Sequence, residues 1–92
     1  MGLIFEWDKR KATGNVRKHG VSFEEAATVF GDDLSITIPD PGHSVGEQRC
    51  LTVGFSEDGR LVVVAHADRG DTIRIISARK ATQREKKQYE EK

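Results

Sequence analysis

Cysteine, proline, long apolar runs and net charge are all scarce in this chain, and each scarcity excludes something. A single cysteine, Cys50, rules out an internal disulfide framework and a cysteine-cluster zinc site. The longest apolar run, Leu61-Val62-Val63-Val64-Ala65, is far short of the ~20 residues that a membrane-spanning helix needs. Met1-Gly2-Leu3-Ile4-Phe5-Glu6 has no basic region and meets an acidic residue early, so it does not read as a signal peptide. A cytoplasmic protein with no membrane association is expected. Both prolines, Pro39 and Pro41, fall in one turn-rich stretch.

What is present fits one small globular domain over residues 1–92. The apolar fraction of 36%, with nine glycines besides, supports a core, though a small one that a partner would help to stabilise. Net charge is zero, yet the distribution is uneven. Residues 6–33 sum to −1, residues 34–59 to −3 and residues 60–92 to +4. A basic final third is a weak electrostatic footprint for phosphate, and equally a solvated helix face.

Periodicity predicts the order β-α-α-β-β-β-β-α. Leu3 to Trp7 reads as a strand. Asp8 caps a helix that runs to His19 and ends at Gly20, with Trp7, Ala12, Val16 and His19 forming a thin apolar stripe. Ser22-Phe23-Glu24-Glu25 reads as a capping box, Glu25 reaching back to the cap. Phe23, Ala26, Ala27 and Phe30 give the second helix one buried face until Gly31. Leu34 to Ile38 alternates, and residues 39–46 form a turn-rich, mobile loop. Gln48–Ser56, Arg60–Ala67 and Thr72–Ala78 are strands joined by turns at Ser56–Gly59 and Arg69–Asp71, an antiparallel meander. Ala81–Glu91 is dense in helix formers. The expected fold class is α+β: an antiparallel sheet with two N-terminal helices and one C-terminal helix.

Candidate chemistry is limited. His19, His43 and His66 lack metal-site spacing, so no metal or other cofactor is expected. The glycines stand singly and form no phosphate loop, and Cys50 reads as a small buried strand residue. Lys18 and His19 close the first helix, whose electronegative end favours cations; they are equally ordinary helix-ending residues. Glu47 and Arg49 alternate onto one face just after the loop, as a phosphate-holding pair or as a surface ion pair of little energetic weight. Arg74 stands among Ile73, Ile75 and Ile76, where a guanidinium needs a partner or a ligand. Arg74 and Arg79 are five apart, so a flat strand puts them on opposite faces. A bulge, or a strand that ends near Ser77, would bring them together.

The segments Phe5-Glu6-Trp7-Asp8, Asn15, Lys18-His19-Gly20-Val21-Ser22-Phe23-Glu24-Glu25-Ala26, Val29-Phe30, Asp33, Glu47 with Arg49, Gly54, Ile73-Arg74-Ile75-Ile76-Ser77-Ala78-Arg79-Lys80-Ala81, Glu85 and Tyr89 resemble the BrnT family. The resemblance runs over nearly the whole chain in the right order. It implies a RelE-like fold and a toxin of a bacterial type II toxin–antitoxin system, an endoribonuclease that cuts RNA without metal and inhibits translation. It also implies a cognate BrnA-type antitoxin, held in a heterotetramer, with operator DNA contacted only through the antitoxin. Thr13-Gly14 and the loop at residues 39–46 depart from the family pattern.

Such cleavage needs a base for the 2′-hydroxyl, an acid for the leaving oxygen and cations for the phosphate. His19 or Glu47 is the candidate base and His19 or Lys18 the candidate acid. Arg49, Arg74 and Arg79 supply charge, and Ser77, Lys80 and Arg84 are candidates to bind substrate. The competing reading is a DNA-binding or interaction module without catalysis, since two helices meet at Gly20-Val21. Against it, the second helix opens with Glu24 and Glu25 and offers no Arg, Lys, Asn or Gln to read bases.

Overall fold

The computed structural model describes residues 2–40 and 48–91. The first strand, β1, is Ile4–Glu6, and helix α1 follows at Lys9–His19. Asp8 caps α1 by accepting from the backbone N–H groups of Arg10 and Lys11 at 2.8 and 3.1 Å, and Gly20 ends it with φ +71°, a conformation open to glycine. The inward stripe differs from expectation at one position. Val16 is exposed, and Asn15 is the buried residue of α1.

Helix α2 is Phe23–Thr28, continued by a 3-10 turn at Val29–Gly31. The Ser22 hydroxyl accepts from Glu25 N–H at 3.0 Å, but the predicted capping box is only half built. The Glu25 carboxylate turns away to the turn at residues 56–60, where it accepts from Ser56 Oγ at 2.7 Å and pairs with Arg60. The Arg60 guanidinium, and next Ser56, hold the Glu25 carboxyl below its ordinary range against the opposing effect of burial. A buried carboxylate is far more stable paired than left as a cap at a helix end.

The remaining elements are β2 (Ile36–Pro39), β3 (Arg49–Phe55), β4 (Leu61–Arg69), β5 (Thr72–Lys80) and helix α3 (Gln83–Glu90). The expected loop at 39–46 and Glu47 lie outside the described residues, except that Pro39 belongs to β2 and Asp40 is described. The sheet has five strands in the order β1-β5-β4-β3-β2. The expected β3–β4–β5 meander is antiparallel and β2 joins it antiparallel to β3, while β1 pairs parallel to β5. The α+β sheet is therefore mixed, not wholly antiparallel. The two helices return the chain so that β1 lies beside the last strand, a crossover that alternation within a strand does not encode.

One sheet face packs Val62, Val64, Ile73, Ile75 and Ala78 against Val21, Phe23, Ala26 and Val29 of the helical layer. The 3-10 turn and the segment after it approach β3 so closely that a Cβ on Gly54 would lie 3.1 Å from Val29 Cγ1 and 2.9 Å from Ser35 Cβ. Among the described residues, the other face carries α3 alone. Its Thr82–Glu85 capping box is complete, and Tyr89 packs edge-on to Phe55 with ring centroids 5.5 Å apart.

Both outer strands are short, and side chains finish their work. β1 pairs with residues 72–74 only, and beyond it the Asn15 amide bonds to both backbone groups of Ala78, at 2.8 Å to the C=O and 3.1 Å from the N–H. β2 pairs with residues 50–53, and beyond it the Asp32 carboxylate accepts from Phe55 N–H at 2.8 Å and from the Tyr89 hydroxyl at 2.6 Å. Burial, reinforced by Asp32, pushes the Tyr89 hydroxyl up to about 12.

Candidate active site

Strand register fixes which charged side chains share the face opposite the helical core. Ile73 and Ile75 enter that core, so Arg74 between them points to the open face. Across the sheet Arg74 pairs with Ala67 of β4, and Ala67 with Arg49 of β3. The β4–β5 register then steps: Ala65 faces Ser77 while His66 faces Ile75, leaving Ile76 as an extra residue. This bulge reverses the alternation. Ser77 and Arg79 consequently stand on the same face as Arg74, despite the odd spacing of the two arginines.

The arginines differ in what they touch. Arg79 donates in parallel to both oxygens of Glu85, at 2.7 and 2.8 Å, and holds α3 onto the sheet. That bond from Arg79, with help from Thr82, lowers the Glu85 carboxyl to about 2. Arg74 is half-buried and, among the described residues, has no hydrogen-bond or ion-pair partner. Arg49 is half-buried at the start of β3, and Glu47 lies outside the described residues.

The other predicted residues do not gather here. Lys18 is exposed and His19 half-buried at the C-terminal end of α1, in the helical layer, and no hydrogen bond or ion pair joins them to the arginine row. Lys80 alternates to the opposite face, beside Val62, where its charge acts on Glu25. Arg84 lies with Lys86 and Lys87 on the outer surface of α3, whereas Glu85, Gln88 and Tyr89 face the sheet. Between α3 and β2–β3 runs a groove of about 190 Å³ lined by Ile36, Ile38, Leu51 and Val53. Its walls are apolar and unsuited to phosphate.

A polar chain on the helical side was not foreseen. Thr37 Oγ1 and Thr52 Oγ1 are 2.7 Å apart, Thr52 Oγ1 is 2.7 Å from His66 Nε2, and His66 Nδ1 is 2.6 Å from Asp68 Oδ1. The order carboxylate–imidazole–hydroxyl resembles a nucleophile relay, but Thr52 has no exposed surface. Cys50 stands directly across from His66, with a thiol pushed up by burial and then by Asp68, the reverse of what a nucleophile requires. The network therefore satisfies buried polar groups. Its sequence signal was a histidine and a threonine in register within apolar strands. Among the described residues, no cluster of three His, Cys, Asp or Glu side chains could hold a metal ion. Helix α2 buries Phe23 and Ala26 fully and ties up Glu25, so it presents no reading face to DNA.

Comparison with known proteins bears on this arrangement. The sequence model of the family described as the ribonuclease toxin, BrnT, of type II toxin–antitoxin systems matches residues 7–85. A search of the curated proteins finds no match. Among solved structures, the crystal structure of the Brucella abortus ribonuclease toxin BrnT superposes with a TM-score of 0.66 at 23% identity, over 90% of this chain and 99% of that one. At that identity the likeness speaks for the fold. No helix among the described residues is long and apolar enough to cross a membrane. The match over residues 7–85 assigns the family: the chain belongs to the BrnT ribonuclease toxins of type II toxin–antitoxin systems.

Proposed function

We propose that this toxin is a metal-independent endoribonuclease that works on the open face of its sheet, inhibits translation in the cytoplasm, and is neutralised by a BrnA-type antitoxin. The observation that carries the reading is the bulge at Ile76, which brings Ser77 and Arg79 onto the face of Arg49 and Arg74, and Arg74 has no hydrogen-bond or ion-pair partner among the described residues. Guanidinium groups on an open sheet suit the phosphate of an extended RNA strand. Cleavage follows from attack of the 2′-hydroxyl on the adjacent phosphorus, giving a 2′,3′-cyclic phosphate and a free 5′-hydroxyl. Arg49 and Arg74 bind the phosphate oxygens and oppose the charge that grows on them. Arg79 reaches substrate only by exchanging its Glu85 partner, so its first duty in this reading is to hold α3.

The sequence pattern offers Lys18 and His19 as acid and Glu47 and His19 as base, but Lys18 and His19 lie in the helical layer and Glu47 lies outside the described residues. Ser77 offers a hydroxyl on the open face, while Lys80 and Arg84 contribute attraction from the neighbouring surfaces. The antitoxin forms a heterotetramer with the toxin and carries the contact to operator DNA, and the relation to RelE-type toxins belongs to the same reading. The test is RNA cleavage by the purified chain in EDTA, with and without the coexpressed antitoxin. Cleavage ending in a cyclic phosphate, abolished by the antitoxin, is the expected result. Absence of cleavage by folded protein, or cleavage only after divalent metal is restored, overturns it.

A further inference from the structure

The five strands carry two carboxylates, Glu6 and Asp68. Asp68 lies on the helical side, bonded to His66. Glu6 lies on the other. Its neighbour Phe5 packs on the core, and its register partner across the parallel β1–β5 pair is Arg74. One row across four strands therefore reads Glu6, Arg74, Ala67, Arg49. Strands spaced about 4.8 Å apart make this row about 14 Å long, with the two arginine Cα atoms about 10 Å apart. Ala67 between them is small enough to leave room above the sheet. Among the described residues the Glu6 carboxylate makes no hydrogen bond or ion pair, and it is exposed.

We propose that Glu6 is the general base of the ribonuclease reaction, beside a phosphate held by Arg74; the inference rests on the function proposed above. An unpaired carboxylate, one strand away from an unpaired guanidinium on the same face, has the two groups that phosphoryl transfer from a 2′-hydroxyl requires in adjacent positions. The Glu6 carboxylate takes the proton of the 2′-hydroxyl as the O2′–P bond forms. The P–O5′ bond breaks with its electron pair on O5′, which takes a proton from water. Glu6 then returns its proton to solvent. Glu85, a described carboxylate near this face, is engaged by Arg79 and Thr82.

The experiment compares the parent with Glu6→Gln and Glu6→Asp, using a cleavable RNA in EDTA and its 2′-O-methyl analogue for binding. The analogue keeps the phosphates and removes the proton to be abstracted. Glu6→Gln should slow single-turnover cleavage by about 10²-fold or more, while affinity for the analogue stays within about twofold. Glu6→Asp, which shortens but keeps the base, should fall between the two, with thermal unfolding unchanged because the side chain is exposed. Cleavage by Glu6→Gln within about threefold of the parent overturns the inference and leaves the ribonuclease reading intact. An equal loss of cleavage and of analogue binding also overturns it, since Glu6 would then act only by positioning Arg74 for the phosphate. A parent that cleaves no RNA removes both.

Discussion

Replacing Glu85 by Gln tests the bond that fastens α3. The substitution keeps the shape of the side chain and removes its charge. In the folded protein the Glu85 carboxyl lies at about 2, against an ordinary 4.5, chiefly because of Arg79. At ~1.4 kcal/mol per pH unit that depression corresponds to about 3 kcal/mol. The Arg79 side chain is 40% exposed and that of Glu85 28%, so solvent screening reduces the contribution to about 1–2 kcal/mol. A domain of this size loses about 4–8 °C in Tm for each kcal/mol, so Glu85→Gln should melt about 4–16 °C below the parent at pH 7. Because folding depresses this carboxyl, its contribution is complete above the unfolded value of 4.5 and is lost as pH falls towards 2. Urea unfolding of parent and variant at pH 7, 4 and 3 should show the gap narrowing. Equal stabilities at pH 7, or a gap that stays constant down to pH 3, would refute the assignment of this energy to the Arg79–Glu85 pair.

Two further outcomes follow from the same geometry. Arg74→Lys, at a residue without a partner among the described residues, should change unfolding free energy by less than about 0.5 kcal/mol and slow RNA cleavage by about 10²–10³-fold; undiminished cleavage would remove Arg74 from the phosphate site. Gly54→Ala places a Cβ 2.9 Å from Ser35 Cβ and 3.1 Å from Val29 Cγ1, so chemical denaturation should show a loss of about 1–3 kcal/mol, and an unchanged midpoint would mean that the turn yields freely.

The order of elements was legible in the sequence because each had a local cause: Asp8 and Ser22 as caps, Gly20 as a stop, alternation in the four later strands. Pairing was not. Leu3 to Trp7 announced a strand, yet nothing within it indicated a parallel neighbour 68 residues later, as Ile4 finds in Thr72. At Glu25 a local rule lost to a tertiary one, since Arg60 is 35 residues away and offers the carboxylate more than the cap does. The apolar stripe failed at Val16 because the edge of β5 needed an amide, which Asn15 supplies, more than α1 needed another methyl group. The arginine face was legible only as a condition: Arg74 and Arg79 required a bulge, and the bulge depends on how β4 accommodates Ile76. Glu6, quoted in the family pattern, drew no attention as chemistry until register set it beside Arg74.

The way in which Asn15 and Asp32 finish the outer strands has a consequence for the protein's behaviour towards its own copies. An uncovered strand edge is a template on which an identical chain can add, and repeated addition ends in fibrils. Here β3 and β5 are seven and nine residues long, and each outruns its outer neighbour. The amide and the carboxylate occupy donors and acceptors that would otherwise recruit a foreign strand. The outermost edges that remain belong to segments of three and four residues, one of them ending in Pro39, which has no N–H to donate. Resistance to self-templated aggregation is thus built into two polar side chains, Asn15 and Asp32, that lie apart from the row of Glu6, Arg74, Ala67 and Arg49.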